Sequence, residues 1–257
     1  MIRTDREIRF ANKAAIVSGG SEGIGLLFAQ CFVKAGGSVM ITGRNAEKLQ
    51  ARVDELNAIR PGCAAGVPCD VRFYDQVCAV CDKTVELFGS IDVLINCAGG
   101  AERRIFNVED KEFPDVPIEA YDWSIDVNLK GQLHFDHAAM KYMREQKSGV
   151  IIHLGSIVGE EGSSGSIAYS ASKSGAMNGL TKSVALYGGK YGVRCVCVSP
   201  GPVMTRPGMA TMKTLVGRGA ETQEVVDLML YLASDKAAFI TGEDILIDGG
   251  RNILRNK

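Results

Sequence analysis

Seven short apolar runs alternate with six longer segments whose apolar residues recur every three or four positions, over nearly the whole chain. A short apolar run reads as a strand buried on both faces, and the longer segments read as helices that cover it. The alternation therefore demands repeated βα units and a parallel sheet. Strands are expected at 14–18, 38–42, 64–69, 93–96, 150–154, 194–199 and 245–247, and helices at 23–34, 46–59, 74–88, 121–145, 169–187 and 222–233. In the last helix Val225, Leu228, Met229 and Leu232 make the buried stripe. No Pro-, Gly- or Ser-rich linker and no internal repeat divides the 257 residues, so one domain over 1–257 is expected.

Two stretches resist regular assignment: 99–118, with Pro114 and Pro117, and 201–219, with Pro202, Pro207 and several methionines. Both follow strands that should end on the same side of the sheet, where open α/β folds bind ligands. They are the expected substrate walls, with 201–219 as a short lid. Glu102, Arg103 and Arg104 lie in the first, and Met204, Arg206, Met209 and Met212 in the second.

Composition removes several function classes. Lysine and arginine number 29 against 30 aspartates and glutamates, a net charge of −1, so no broad basic field exists to hold nucleic acid or an anionic membrane. The opening residues lack the apolar core of a secretory signal, and no eighteen apolar residues run together. Asp5 and Glu7 interrupt Arg3, Arg6 and Arg9, so 1–12 reads as a solvated leader and the location as cytoplasmic. Eight cysteines lie mostly in apolar segments and are expected to be reduced. Cys78 and Cys81 lack a matching second pair, and Cys195 and Cys197 share one strand face, so all four read as core rather than metal ligands. His134, His137 and His153 also read as structural, with His153 alone in an apolar strand; no metal is expected.

Directly after the first strand comes Ser18-Gly19-Gly20-Ser21-Glu22-Gly23-Ile24-Gly25, with a helix beginning there. Glycine lets backbone amides approach a pyrophosphate, and a helix N-terminus offers unpaired N–H donors and partial positive charge. Placed between strand one and helix one, the turn suits a dinucleotide, and the fold class becomes a Rossmann-type doubly wound α/β sheet of about seven parallel strands with helices on both faces. Downstream, Tyr169 and Lys173 are four residues apart, so a helix puts both on one face. A neighbouring cation favours the phenolate form of a tyrosine, which suits proton transfer near neutrality.

The glycine turn resembles the TGxxxGxG of the short-chain dehydrogenase/reductase family, with Ser18 replacing the threonine. Asn96-Cys97-Ala98-Gly99 resembles its NNAG segment with cysteine at the second position, and Ser156 with Tyr169-x-x-x-Lys173 resembles its catalytic set. Asp70 resembles its adenine-contacting acid, and Pro200-Gly201 and Asp248-Gly249-Gly250 complete a likeness that runs nearly end to end. The resemblance implies that Tyr169 is the acid/base, that Lys173 binds nicotinamide-ribose hydroxyls, and that Ser156 hydrogen-bonds the substrate oxygen. Asn128, in Asp126-Val127-Asn128, would hold a water linking the lysine to solvent. Cofactor contacts are implied for Gly19, Ser21, Gly23, Ile24, Gly25, Arg44, Asp70, Val71, Asn96, Ala98, Tyr169, Lys173, Pro200, Val203 and Thr205.

Cofactor choice turns on the end of strand two, where a carboxylate would bind the ribose of NAD. Thr42-Gly43-Arg44-Asn45 offers none, and Arg44 can pair a 2′-phosphate, so NADP(H) is favoured over NAD(H). Glu22 argues against this, standing where many NADP-using relatives carry a basic residue. The leading expectation is NADP(H)-linked interconversion of a ketone or aldehyde and an alcohol, the partner being a small carbonyl or alcohol. The alternatives are an NAD-dependent polyol or hydroxysteroid dehydrogenase and a nucleotide-sensing regulatory protein without turnover. By the same resemblance, segments 121–145 and 169–187 are the contact helices of a homodimer or homotetramer.

Overall fold

Seven parallel strands form one sheet in the computed structural model, which describes residues 7–205 and 207–254. Residues 1–6 of the expected leader and Arg206 of the expected lid lie outside the described residues. The strands are β1 (Ala14–Ser18), β2 (Ser38–Gly43), β3 (Ala64–Pro68), β4 (Val93–Asn96), β5 (Gly149–Leu154), β6 (Val193–Pro200) and β7 (Asp244–Ile247), in the spatial order β3-β2-β1-β4-β5-β6-β7. Central β1 is buried at every position and pairs Ile16 with Met40 on one side and Leu94 on the other. That explains its uninterrupted apolar sequence, since helices cover both faces of a parallel sheet. Strand order reverses between β1 and β4, which opens a crevice at their C-terminal ends.

The helices are α1 (Gly23–Lys34), α2 (Ala46–Ile59), α3 (Tyr74–Phe88), α4 (Glu102–Ile105), α5 (Ile118–Ile125), α6 (Gly131–Gln146), α7 (Val158–Glu161), α8 (Ile167–Gly175), α9 (Thr181–Gly188) and α10 (Thr222–Ala233). On one face α1, α2 and α10 bury Phe28, Phe32, Leu56 and Met229 against the sheet. Phe32 stacks between Phe10 and Phe28, with ring centroids 4.3 and 5.6 Å away. On the other face α3, α6 and α9 bury Val80, Phe135, Met143 and Ala185. Each large apolar side chain so covered contributes about 1.5–3 kcal/mol. Cys81 and Cys195 are buried free thiols in that second core, and burial pushes both up in pKa, so they pack as small hydrophobes.

Three features depart from the periodicity reading. The expected helix 121–145 begins at Ile118 and ends at Gln146, with a π-turn (Asp126–Lys130) joining α5 to α6. The expected helix 169–187 begins at Ile167 and contains a second π-turn (Ala176–Leu180) between α8 and α9. His153 is not alone: its Nε2 lies 2.9 Å from Asp136 Oδ2 and its Nδ1 2.8 Å from Thr181 Oγ1. Asn96 Nδ2 donates to Asp136 Oδ1 at 2.9 Å, so one buried polar chain links β4, α6, β5 and α9. The partners lie on other elements, which one strand's sequence does not display.

The two irregular stretches follow β4 and β6 and so stand at the same edge of the sheet. The first folds into α4 and a 3-10 turn at Phe113–Asp115; the second is held by a bridge between Val203 and Ala220. Among the described residues no helix is long and apolar enough to cross a membrane.

Candidate active site

At the β1 end of the crevice the surface is main chain. Gly19 has φ +66°, and a Cβ there would stand 2.9 Å from the backbone of Ala98 on the turn after β4. A Cβ on Gly25 would stand 2.6 Å from the Gly19 carbonyl oxygen. Gly23 has φ +58°, a conformation that suits glycine and starts α1. Glu22, which precedes the helix, places no side-chain cap on it, so amides at Gly23, Ile24 and Gly25 can turn to an anion. These tight glycines and the uncapped helix end fit a dinucleotide's pyrophosphate.

The β2 end sets the adenosine side. Gly43 leaves room beside Ser21, whose Oγ would lie 3.1 Å from a Cβ at that position. Asn45 caps α2 by accepting the Lys48 N–H at 2.8 Å, worth about 1 kcal/mol, so Arg44 is not the cap. Arg44 is exposed and has no hydrogen bond or ion pair among the described residues. Lys48 is paired with the Glu22 carboxylate, and the Lys48 hydrogen bond holds Glu22 below the usual carboxylate range. Asp70 is also engaged: Arg72 donates to both its oxygens, with a closest approach of 2.6 Å, and holds its pKa down. Arg72 is missing from the sequence reading, although its place two residues beyond Asp70 is a local signal. Val71 is buried and its carbonyl oxygen lies 2.9 Å from His134 Nδ1. Asn96 is turned into the core toward Asp136, while Ala98 lies against Gly19.

At the β5 end the surface is side chain. Tyr169 and Lys173 lie on α8, with Lys173 Nζ 5.5 Å from the Tyr169 ring centroid. Lys173 is 3% exposed and its ammonium donates to the Leu154 carbonyl at 2.5 Å, which pins it to the end of β5. Ser156 follows β5 and its Oγ accepts the Val158 N–H at 3.4 Å. Asn128 sits in the first π-turn. Its Oδ1 accepts the Gly100 N–H and its Nδ2 donates to the Gly100 carbonyl, both at 2.9 Å. A Cβ on Gly99 would overlap Asn128 Oδ1 and stand 3.7 Å from Lys173 Nζ, so Asn128 and Lys173 meet at Gly99.

Gln132 is a further member that the sequence reading omits. It is 2% exposed, and its Nε2 donates to the Asn128 carbonyl at 2.9 Å and approaches the Leu154 carbonyl at 3.5 Å. The carbonyl of Asn128 thus accepts one hydrogen bond from a side chain and keeps a second lone pair. Pro200 ends β6 and its carbonyl accepts the Ile157 N–H at 2.9 Å, tying the segment after Ser156 to the sheet. Val203 is buried beside Ala220, and Thr205 is exposed at the start of the lid. The glycine turn and the tyrosine–lysine pair thus flank the C-terminal ends of β1, β4 and β5, where the strand order reverses.

A family model described as Enoyl-(Acyl carrier protein) reductase matches residues 19–252. The chain is 36% identical over 258 residues to trans-4-hydroxycyclohexanecarboxylate dehydrogenase of Sinomonas cyclohexanicum, covering 96% of each protein. It is 34% identical over 251 residues to 3alpha-hydroxysteroid dehydrogenase of Mediterraneibacter gnavus, covering 93% of this chain and 96% of that one. A solved short-chain type dehydrogenase/reductase from Mycobacterium ulcerans superposes with a TM-score of 0.87 at 28% identity, covering 96% of this chain and 92% of that one. With the all-parallel sheet, the glycine cradle and these relatives in agreement, the chain belongs to the short-chain dehydrogenase/reductase family, NAD(P)-dependent oxidoreductases that act on CH–OH or C=O groups.

Proposed function

We propose that the enzyme interconverts a ketone or aldehyde and the corresponding alcohol with NADP(H), using Tyr169 as the acid/base. The observation that carries this reading is the Tyr169–Lys173 pair on one helix face, pinned through Leu154 to the strand end beside Ser156. The bound dinucleotide supplies or accepts the hydride. During reduction the Tyr169 phenol donates its proton to the carbonyl oxygen as charge develops there, and during oxidation the phenolate takes the alcohol proton. Ser156 donates a hydrogen bond to the same oxygen. Lys173 places a cation next to the phenol and binds ribose hydroxyls, and Asn128 fixes the Gly99–Gly100 turn against them.

Gly19, Ser21, Gly23, Ile24 and Gly25 would hold the pyrophosphate, Asp70 and Val71 the adenine, and Ala98, Pro200, Val203 and Thr205 the remaining edge, while Asn96, its side chain turned into the core toward Asp136, would support that edge from beneath. The unpaired Arg44 beside Gly43 supports a 2′-phosphate, as does the absence of an acid at Gly43. A second reading, an NAD-dependent polyol or hydroxysteroid dehydrogenase, is favoured by Glu22, which ties up the nearby Lys48. Residues 201–219 act as the lid over the substrate. Exposed Ile118, Ile125 and Leu133 on α5–α6 and Leu186 on α9 supply apolar contact faces for a homodimer or homotetramer. Cysteines that are mostly buried and pack as small hydrophobes suit a cytoplasmic location.

The test is turnover on a panel of cyclic ketones and secondary alcohols, chosen because both named relatives act on ring hydroxyls, with each nicotinamide cofactor in turn. NADPH should give the higher kcat/KM by about tenfold, the worth of one charge-assisted contact. Equal or better efficiency with NADH sinks the cofactor assignment, and no turnover on ketones, aldehydes or alcohols sinks the enzyme reading proposed for this site.

A further inference from the structure

Glu102 lies in α4, on the wall segment after β4, and is fully buried at 0% exposure. A buried carboxyl group is costly unless it is hydrogen-bonded. Its Oε2 accepts the Ser124 hydroxyl at 3.0 Å and the backbone N–H of Tyr169 at 3.1 Å. Tyr169 is the third residue of α8, so that N–H is one of the donors a helix leaves unpaired at its start. Ser166, at the cap position of α8, makes no side-chain cap hydrogen bond. The helix that carries the tyrosine and the lysine is therefore capped from a distant segment, by a residue 67 positions earlier in sequence.

The same carboxyl group joins a wider clamp. The Ser124 carbonyl accepts Asn128 Nδ2 at 2.9 Å and the Ser172 hydroxyl at 3.3 Å. Asn128 in turn holds Gly100 through both its N–H and its carbonyl. The helix α8 is thus tied, at Tyr169 in its first turn and at Ser172 further along, to α4 and α5, which flank the expected substrate wall.

We propose that Glu102 is a positioning residue for Tyr169: its carboxyl group caps the start of α8 and couples the placement of the phenol to the wall segment that carries α4. The proposal rests on the assignment of Tyr169 as the acid/base. Glu102 is fully buried behind α8, so its effect would reach the reacting atoms only through Tyr169 and fall on the chemical step. Loss of the cap lets the first turn of α8 fray, and small misplacements of a reacting group are expensive in rate.

Three variants separate reach from charge. Glu102→Gln keeps an acceptor oxygen at full reach, Glu102→Asp keeps the acid but withdraws it by one methylene, and Glu102→Ala removes both. Turnover is counted per NADPH-binding site, so that unfolded protein does not enter, and amide hydrogen exchange at Tyr169 is followed in parallel. Ala and Asp should lower kcat about 30-fold with KM and NADPH Kd changed less than about threefold, while Gln stays within about threefold in kcat. Exchange at Tyr169 should accelerate in Ala and Asp and stay slow in Gln. If Glu102→Ala does not fold, Glu102→Asp against Gln carries the test. The proposal is overturned if Asp or Ala keeps wild-type turnover per site, if Gln is as impaired as Ala, or if exchange at Tyr169 is the same in all variants. Should the wild-type protein reduce no carbonyl compound, the proposed function has failed, and the exchange comparison still decides the cap.

Discussion

On the β1 side of the cleft the working surface is backbone, shaped by Gly19, Gly23 and Gly25; on the β5 side it is side chain, with Tyr169, Lys173, Asn128 and Gln132 held in a mostly buried network. In the proposed function the first side would bind through atoms every residue owns, so what matters is that nothing extra is present. The second would work through functional groups, so what matters is that none is lost or displaced. One side should therefore be damaged by adding atoms and the other by removing them, with different kinetic signatures.

The strongest way to break this contrast is to delete one oxygen from the side-chain wall. Tyr169→Phe should lower kcat by about a thousandfold while NADPH Kd, read by fluorescence titration, stays near wild type. Turnover close to wild type would remove the tyrosine from its role. Next comes the addition of atoms to the backbone wall. Gly25→Val drives a Cβ against the Gly19 carbonyl, only 2.6 Å from its ideal position, and should weaken NADPH binding by about a hundredfold with kcat at saturation largely kept. A fall in kcat with unchanged Kd would reverse the assignment of the two sides.

Smaller effects sharpen the edges of the comparison. Arg44→Ala should lower kcat/KM for NADPH about tenfold and leave the NADH value unchanged; equal losses with both cofactors would make the arginine a general support. Asp244 on β7 serves as a control, a polar group outside the cleft. Burial pushes its carboxyl pKa up, although Ser199 Oγ donates to it at 2.5 Å. A raised acid binds its proton more tightly folded than unfolded, so its penalty grows as pH rises from the ordinary carboxylate value through the folded one, and is complete above it. Asp244→Asn should raise Tm by about 2 °C at pH 7, with the gain shrinking toward acid and kcat unaltered. A gain that persists in acid would contradict the titration.

Local spacing made part of this legible in the sequence. Glycines at 19, 23 and 25 and the four-residue step from Tyr169 to Lys173 are readable because each depends on neighbours in the chain. The strands were readable for the same reason, as burial on both faces of the sheet writes itself into consecutive residues. Glu102 is legible in the sequence only as a residue of the expected substrate wall, because its partners, Ser124 and Tyr169, come from α5 and α8. His153 looked solitary because Asp136 reaches it from a helix across the sheet face. Gln132 carries no signal at all without knowing that the end of β5 passes beside it. Side-chain chemistry at long sequence separation is set by topology, and periodicity holds no record of it.

The π-turn between α5 and α6 carries a last consequence. It inserts one residue beyond what a regular helix would use, and each residue of an α-helix turns the path by about 100°. Deleting a residue there would restore a straight, better-bonded helix and swing Asn128 out of phase with Phe135 and Met143. Either the amide would leave Gly100 or the two large side chains would leave the sheet. The local imperfection is what lets one rod satisfy two surfaces at once, so an improvement in helix regularity at this point would cost the grip of Asn128 on Gly100 in the proposed active site.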